Sequence, residues 1–157
     1  MNVKLVQWDE CYSVGVGLLD KQHKHLFKFT NELYEGCRRG ETVARKHFIE
    51  TLHATVDYVA VHFSTEERIM DKIHYPDAVR HKKQHTDFVK KVMAAQKELE
   101  EGKNGVAVEF VYFLKEWTVS HIAVYDKIFA AYFNRRRKTV SNTQIPSHAG
   151  LSVAISN

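Results

Sequence analysis

The residues of this chain that could do chemistry are histidines and carboxylates that recur four residues apart. The chain has 157 residues, of which 10 are histidines. His62 and Glu66 form one such pair, and His81 and His85 form another. A step of four residues turns only about 40° around a helix, so each pair lies on one helix face. Imidazole and carboxylate groups without thiolates suit iron, manganese, zinc or nickel.

Three further residues extend this set: His23, His121 and Asp126. The last two are five residues apart, which turns about 140° on an α-helix, so we expect them to approach a site from its two flanks. At about 1.5 Å per residue, all the candidates fall in one layer of an up-down-up-down bundle. Such a set exceeds the four ligands of a structural zinc site and suits two metals with an open position. The predicted donors are His23, His62, Glu66, His81, His85, His121 and Asp126.

The other five histidines are predicted to lie away from this layer. His25 and His53 fall on the opposite sides of their helices from His23 and His62. His47 is about 22 Å along the axis from His62, His74 sits in a turn, and His148 follows the last helix.

Four amphipathic segments must position the donors. An apolar period of 3.6 residues starts at Leu19 and ends at the Arg38–Gly40 stop. Three more helices are predicted, at about Glu41–Ile73, Pro76–Glu101 and Val106–Arg136. The short connections favour an all-α, up-down-up-down four-helix bundle. We expect a bundle domain over 1–134, with a non-helical arm over 1–18, and a basic cluster and flexible tail over 135–157.

The excess positive charge of the chain comes from one short segment. Lys and Arg number 23 against 19 acidic residues, and removing the four cations Arg135 to Lys138 leaves 19 against 19. We expect these cations to complement the dipole of the last helix, and we expect no nucleic-acid partner. Cys11 and Cys37 are predicted to be free thiols. With neither a signal peptide nor an apolar run of about 20 residues, the sequence predicts a cytoplasmic protein.

The ordered set of motifs resembles the hemerythrin family, specifically its single-domain bacterial members, over about Trp8 to Phe133. The segments that carry the resemblance are Trp8 with Val14-Gly15-Val16, Asp20-Lys21-Gln22-His23, His62 with Glu66, Met70 with Tyr75-Pro76, His81 with His85, and Trp117-Thr118-Val119-Ser120-His121-Ile122 with Asp126.

The resemblance implies a non-heme di-iron centre that binds dioxygen reversibly in a protein that is not an enzyme. It implies one iron on His81, His85 and His121, and a second, with an open position, on His23 and His62. Glu66 and Asp126 would bridge the two irons, together with an oxygen bridge derived from water. The implied role is an oxygen carrier, store or delivery protein, with an unidentified protein partner as the recipient.

Trp117, Val119 and Ile122 are our candidates for the wall of an apolar ligand pocket, although plain core packing explains them equally well. Thr118 stands where the family motif commonly has Leu. The alternative function is an oxygen or redox sensor that signals through the arm or the tail. A di-iron oxidase of the ferritin-like type is disfavoured, because the only Glu-x-x-His pair, Glu50 and His53, lies off the donor face.

Overall fold

The computed structural model describes residues 4–38 and 41–143, with all side chains in these ranges except those of 41–47 and 140–143. Within them the chain is built from helices and contains no strand. The last long helix consists of two α-helical parts joined by a π-helical segment, His121–Asp126. The α-helices are α1 (Gly17–Arg38), α2 (Glu41–Ile73), α3 (Ala78–Glu100), α4 (Val106–Ser120) and α5 (Lys127–Thr143).

The helices pack in the order that an up-down-up-down bundle requires. Both α1 and α3 pack against α2 and against α4, which closes the four into a ring. This confirms the predicted all-α four-helix bundle. None of the described helices is long and apolar enough to cross a membrane.

Two of the helices end in left-handed residues that turn the chain sharply. His74 has φ 52° after α2, and the Tyr75 N–H donates to the Met70 carbonyl at 2.9 Å. Gly102 has φ 82° after α3, and the Lys103 N–H donates to the Glu98 carbonyl at 3.1 Å. Bonds of this kind satisfy carbonyls at helix ends that have no partner within the helix. They keep these two connections short, which allows α2, α3 and α4 to pack as neighbours in the order of the sequence.

The end of the bundle differs from the prediction. The last helix continues beyond Arg136 to Thr143, and its last turn holds no basic residue. Arg135 to Lys138 therefore lie inside a helix, exposed to solvent, and do not complement the dipole of its final turn. The rest of the predicted tail (144–157) and the predicted stop at Arg39 and Gly40 lie outside the described residues.

Two apolar clusters fill the bundle around a buried polar layer. This layer holds His23, His62, Glu66, His81, His85, His121 and Asp126. Along α1, Leu19 belongs to one cluster and Leu26 to the other, with His23 between them. We call the first the arm-side cluster: Val6, Val14, Val16, Leu19, Phe27, Met70, Tyr75, Ile122, Phe129 and Ala130. The second is the distal cluster: Leu26, Leu33, Phe48, Leu52, Val59, Phe63, Phe88, Val92, Ala95, Leu99, Val106, Phe110, Val111 and Leu114.

The described part of the N-terminal arm is bound to α1 at two points. The Asn31 side chain accepts from the Leu5 and Val6 N–H groups at 2.8 and 3.1 Å, and donates to the Val6 carbonyl at 2.8 Å. The Asp20 carboxylate accepts from the Val14 N–H at 2.7 Å and from the Ser13 hydroxyl at 2.8 Å. Between these points lies one turn of 3₁₀ helix, Glu10–Tyr12, and the rest of residues 4–16 is non-helical. The α1 helix begins at Gly17, so the arm ends two residues before its predicted end at residue 18.

Candidate metal centre

The structure brings the seven predicted donors together in the buried polar layer. None of these residues is more than 2% exposed. Their ligand atoms form two groups that share Glu66, and within each group the atoms lie within 4.8 Å of one another. The three-histidine group holds His81, His85, His121 and Glu66, and the two-histidine group holds His23, His62, Glu66 and Asp126.

Glu66 presents one carboxylate oxygen to each group. Its Oε2 atom lies 3.3 Å from His81 Nε2 and 3.4 Å from His85 Nε2. Its Oε1 atom lies 4.0 Å from the Nε2 atoms of both His23 and His62. A carboxylate shared in this way is suited to bridge two cations, one in each group.

Asp126 is shared in the same way. Its Oδ1 atom lies 3.1 Å from His121 Nε2 and 3.2 Å from His81 Nε2, while Oδ2 lies 3.2 Å from His23 Nε2. The three Nε2 atoms on this side also converge, since that of His121 is 3.1 Å from His81 Nε2 and 3.2 Å from His85 Nε2.

The π-helical segment explains how His121 and Asp126 reach the same site. The segment begins at the first of these residues and ends at the second. Hydrogen bonds in a π-helix join residues five apart, so such residues lie nearly above one another. The expectation that the pair would approach from two flanks is wrong, because it assumed α-helical geometry. π-helical turns within α-helices occur frequently at functional sites.

Three of the seven buried donors, His23, Glu66 and Asp126, have no hydrogen-bond partner within the described part of the protein. Both carboxylate oxygens of Glu66 and of Asp126 and both ring nitrogens of His23 are buried without a partner in hydrogen-bonding geometry. Burying carboxylates and imidazoles in this way is costly unless a cation or a proton compensates them. The donors present therefore fit a buried metal centre of nitrogen and oxygen ligands.

Three of the imidazoles are oriented by side chains that we did not predict from the sequence. Carboxylate and amide oxygens only accept, so each Nδ1 donates its proton and leaves the Nε2 lone pair facing the centre. Each partner is the chain neighbour of a predicted donor, which is a usable sequence signal. The pairs are His62 with Gln22 Oε1 at 3.1 Å, His85 with Glu67 Oε1 at 2.9 Å, and His121 with Gln84 Oε1 at 3.1 Å.

Aromatic rings fix two of the imidazoles from the side of the distal cluster. Phe63 stacks on His85 with ring centroids 3.7 Å apart, and Trp117 stacks on His121 at 4.2 Å. Phe63 was missed, although it directly follows His62 in the sequence. Val119 and Ile122 pack into the arm-side cluster, so their role as a pocket wall stays a prediction.

The hydroxyl of Thr118 is buried without a hydrogen bond among the described residues. The residue is 2% exposed, and its Oγ1 atom has no hydrogen-bond partner among the described residues. Thr30 and Thr55, which are also buried in helices, each donate to the carbonyl four residues earlier, at 2.8 and 2.7 Å. An unpaired buried hydroxyl is destabilising, so Thr118 is a weak point of the core.

Two histidines of the buried layer have pKa values that are shifted in opposite directions. Burial lowers the pKa of His62 to about 4. Burial also acts to lower the pKa of His81, but the adjacent Asp126 and Glu66 carboxylates outweigh it and raise the value to about 9. The surrounding imidazoles hold the pKa of both carboxyl groups below its ordinary value, against the effect of burial. Both carboxylates are therefore ionised at neutral pH and available as ligands.

The remaining histidines lie apart from the donors where they are described. His25 Nδ1 lies 2.9 Å from the Tyr58 hydroxyl, and His53 Nε2 lies 3.1 Å from Gln96 Nε2 at the surface. His74 is in the turn after α2. The side chain of His47, and His148, lie outside the described part of the structure.

Known proteins resemble this chain both in sequence and in structure. The family model "Hemerythrin HHE cation binding domain" matches residues 14–133. The bacteriohemerythrin of Methylococcus capsulatus (strain Bath) is 32% identical over 126 residues, covering 80% of this chain and 94% of its own. The myohemerythrin of Theromyzon tessulatum is 34% identical, covering 74% of this chain and 83% of its own. A crystal structure of wild-type hemerythrin superposes with a TM-score of 0.74 at 32% identity, covering 81% of this chain and 96% of that one.

Proposed function

The chain belongs to the hemerythrin family, and on that premise we propose that it binds dioxygen reversibly at a non-heme di-iron centre. In this proposal the protein is an oxygen carrier, store or delivery protein, located in the cytoplasm and serving a protein partner that is not identified. The observation that carries the proposal is the pair of buried donor groups, which share Glu66 and are both contacted by the Asp126 carboxylate.

In this proposal each iron has its own set of histidines. His81, His85 and His121 would hold one iron, and His23 and His62 the other, while Glu66 and Asp126 would serve both. The two-histidine side has one histidine fewer, so dioxygen would bind on that side in this proposal. When bound, the iron pair supplies the electrons for reversible dioxygen binding.

The protein's own residues make reversibility rather than catalysis the better proposal. Five imidazoles and only two carboxylates surround the centre, and the apolar clusters on both sides exclude water. Exclusion of water limits the supply of protons to the site, and protonation would favour irreversible oxidation of the iron pair over the release of dioxygen. The Nδ1 hydrogen bonds to Gln22, Glu67 and Gln84 keep three rings in the orientation that coordination requires.

A sensor function has one observation in its favour. The 3₁₀ turn of the arm (Glu10–Tyr12) packs against the π-helical segment, which begins and ends at two of the donors. A change in the ligation of His121 or Asp126 would therefore act on the arm through this contact. If ligation changed the protection of the arm from hydrogen exchange, the sensor function would gain support over simple carriage.

The test of the proposal is anaerobic reconstitution with Fe(II), followed by cycles of oxygen exposure and removal monitored by visible absorption. We expect two irons per chain and a charge-transfer band that appears and disappears with oxygen. His62→Ala and Glu66→Ala should abolish the band, whereas His25→Ala, a matched change on the opposite face of α1 from His23, should leave it intact. Irreversible bleaching, or one metal per chain, would refute the proposal.

A further inference from the structure

The outer partners of the donor imidazoles differ in charge. Gln22 and Gln84 hold His62 and His121 through neutral amides, each at 3.1 Å. Glu67 holds His85 through a carboxylate, and this bond is shorter, at 2.9 Å. Among the three imidazoles whose Nδ1 partner is described, only His85 therefore faces a negative charge.

A carboxylate at this place acts on more than the orientation of the ring. Hydrogen bonds to ionised acceptors are stronger than those to neutral ones, and they draw the Nδ1 proton away from the ring. The imidazole then becomes a better electron donor through Nε2, which is the atom that faces the centre. An amide fixes the ring equally well but supplies no charge.

The charge balance of the buried layer indicates how a carboxylate partner in place of an amide changes the reduction potential. A pair of divalent cations brings four positive charges, and the shared carboxylates of Glu66 and Asp126 supply two negative ones. Oxidation adds positive charge in a place that is almost fully buried, where uncompensated charge is costly. A further carboxylate one imidazole away offsets part of that cost, and Glu67 offers it only to the three-histidine group.

We propose that Glu67 is a positioning residue that lowers the reduction potential of the three-histidine half of the centre through the His85 imidazole. The inference rests on the proposed di-iron function and extends it by making the two halves electronically unequal. The side chain of Glu67 is 32% exposed, so solvent screens part of its charge. We therefore expect an effect of about tenfold on the oxidation equilibrium, or about 59 mV for one electron.

Two reciprocal substitutions separate charge from orientation. Glu67→Gln keeps an oxygen that can accept from His85 Nδ1 but removes the charge. Gln84→Glu places a charge on His121, the neighbouring ligand in the same group. Glu32→Gln on α1 is the control, since it removes a carboxylate that pairs with Lys28 at the surface.

The measurement is an anaerobic redox titration of the iron-loaded proteins, together with the Co(II) affinity of each metal-free protein by competition with a chelator. We expect Glu67→Gln to raise the potential by about 59 mV (tenfold) and Gln84→Glu to lower it comparably, with Glu32→Gln unchanged. Co(II) affinity should fall in Glu67→Gln and rise in Gln84→Glu, because the ligand basicity changes in the same sense.

The inference is overturned if Glu67→Gln and Gln84→Glu both leave the potential and the Co(II) affinity as in the control. Should one variant fail to fold, the other still decides, because each predicts a shift of fixed sign. If the wild-type protein takes up iron and the variants show these shifts, but the wild-type protein binds oxygen irreversibly, only the proposed function fails. If it binds neither Fe(II) nor Co(II), both fail together.

Discussion

The buried polar layer and the distal cluster lie in the same four helices and are equally buried, yet they contribute to stability in opposite ways. Leu33, Leu52 and Val111 in the distal cluster are 0% exposed, and so are Glu66 and Asp126 in the polar layer. Burying a large apolar side chain contributes about 1.5–3 kcal/mol to folding. Burying an ionised carboxylate without full compensation costs several kcal/mol.

This difference shows that burial in the polar layer is not itself a source of stability. The distal cluster and the arm-side cluster hold the helices together, and their packing keeps the donors in place at a cost in stability. Bound metal ions would offset this loss of stability, because their positive charge neutralises the buried carboxylates.

The largest expected effect is that of metal on stability. Loading with Fe(II) under anaerobic conditions should raise the free energy of unfolding by about 4 kcal/mol or more when free metal exceeds Kd by about 1,000-fold. Denaturant unfolding with and without metal measures this gain. Glu66→Ala should show none of it, and an equal gain in that variant would mean that the metal binds elsewhere.

The second effect belongs to the distal cluster. Leu52→Ala should destabilise the protein by about 2–5 kcal/mol, because the residue is fully buried and its removal leaves a cavity. The loss should be the same for metal-free and metal-loaded protein, and the number of metals bound should not change. A variant that lost metal in proportion to its stability would contradict the separation of the two regions.

The third effect is the pH dependence of the metal-free protein. The pKa of His81 is raised to about 9 in the folded state from 6.5, so its contribution is complete below 6.5 and is lost as pH rises through 9. The pKa of His62 is lowered to about 4, so stability falls as pH drops from 6.5 towards 4. Unfolding free energies measured from pH 4 to 9 should pass through a maximum near 6.5. Substituting His81 by Gln should remove the decline on the alkaline side.

The smallest effect concerns the unpaired hydroxyl of Thr118. Thr118→Val keeps the shape of the side chain and removes a buried polar atom that has no partner, so it should stabilise the protein by about 1 kcal/mol. Thr30→Val is the matched control, since it removes a hydroxyl that donates to the Leu26 carbonyl. It should be neutral or destabilising. Stabilisation by both variants would show that the difference in hydrogen bonding does not matter.

The sequence predicted the helices and the donor set because both depend on local spacing. The α2 helix begins and ends at the predicted residues, Glu41 and Ile73, and the four-residue pairs share faces as helix geometry requires. The end of the last helix was not predictable, because Thr139 to Thr143 include residues of modest helix propensity.

Two features of the site are only weakly indicated by the sequence: the π-helical segment and the side chains that orient the imidazoles. The π-helical segment changes the hydrogen-bond register over six residues, which no periodicity of side chains indicates. Gln22, Glu67 and Gln84 are polar residues beside donors, and residues of these types are mostly exposed to solvent in folded proteins. Only packing of the helices shows that each one reaches an imidazole of another helix.

The most direct test of the proposed di-iron centre is a crystal structure of the iron-loaded protein with anomalous data collected at the iron absorption edge. We expect two anomalous peaks in the buried layer. One should lie among His81, His85, His121 and the shared carboxylates, and the other between His23 and His62. A single peak, or peaks outside this layer, would contradict it.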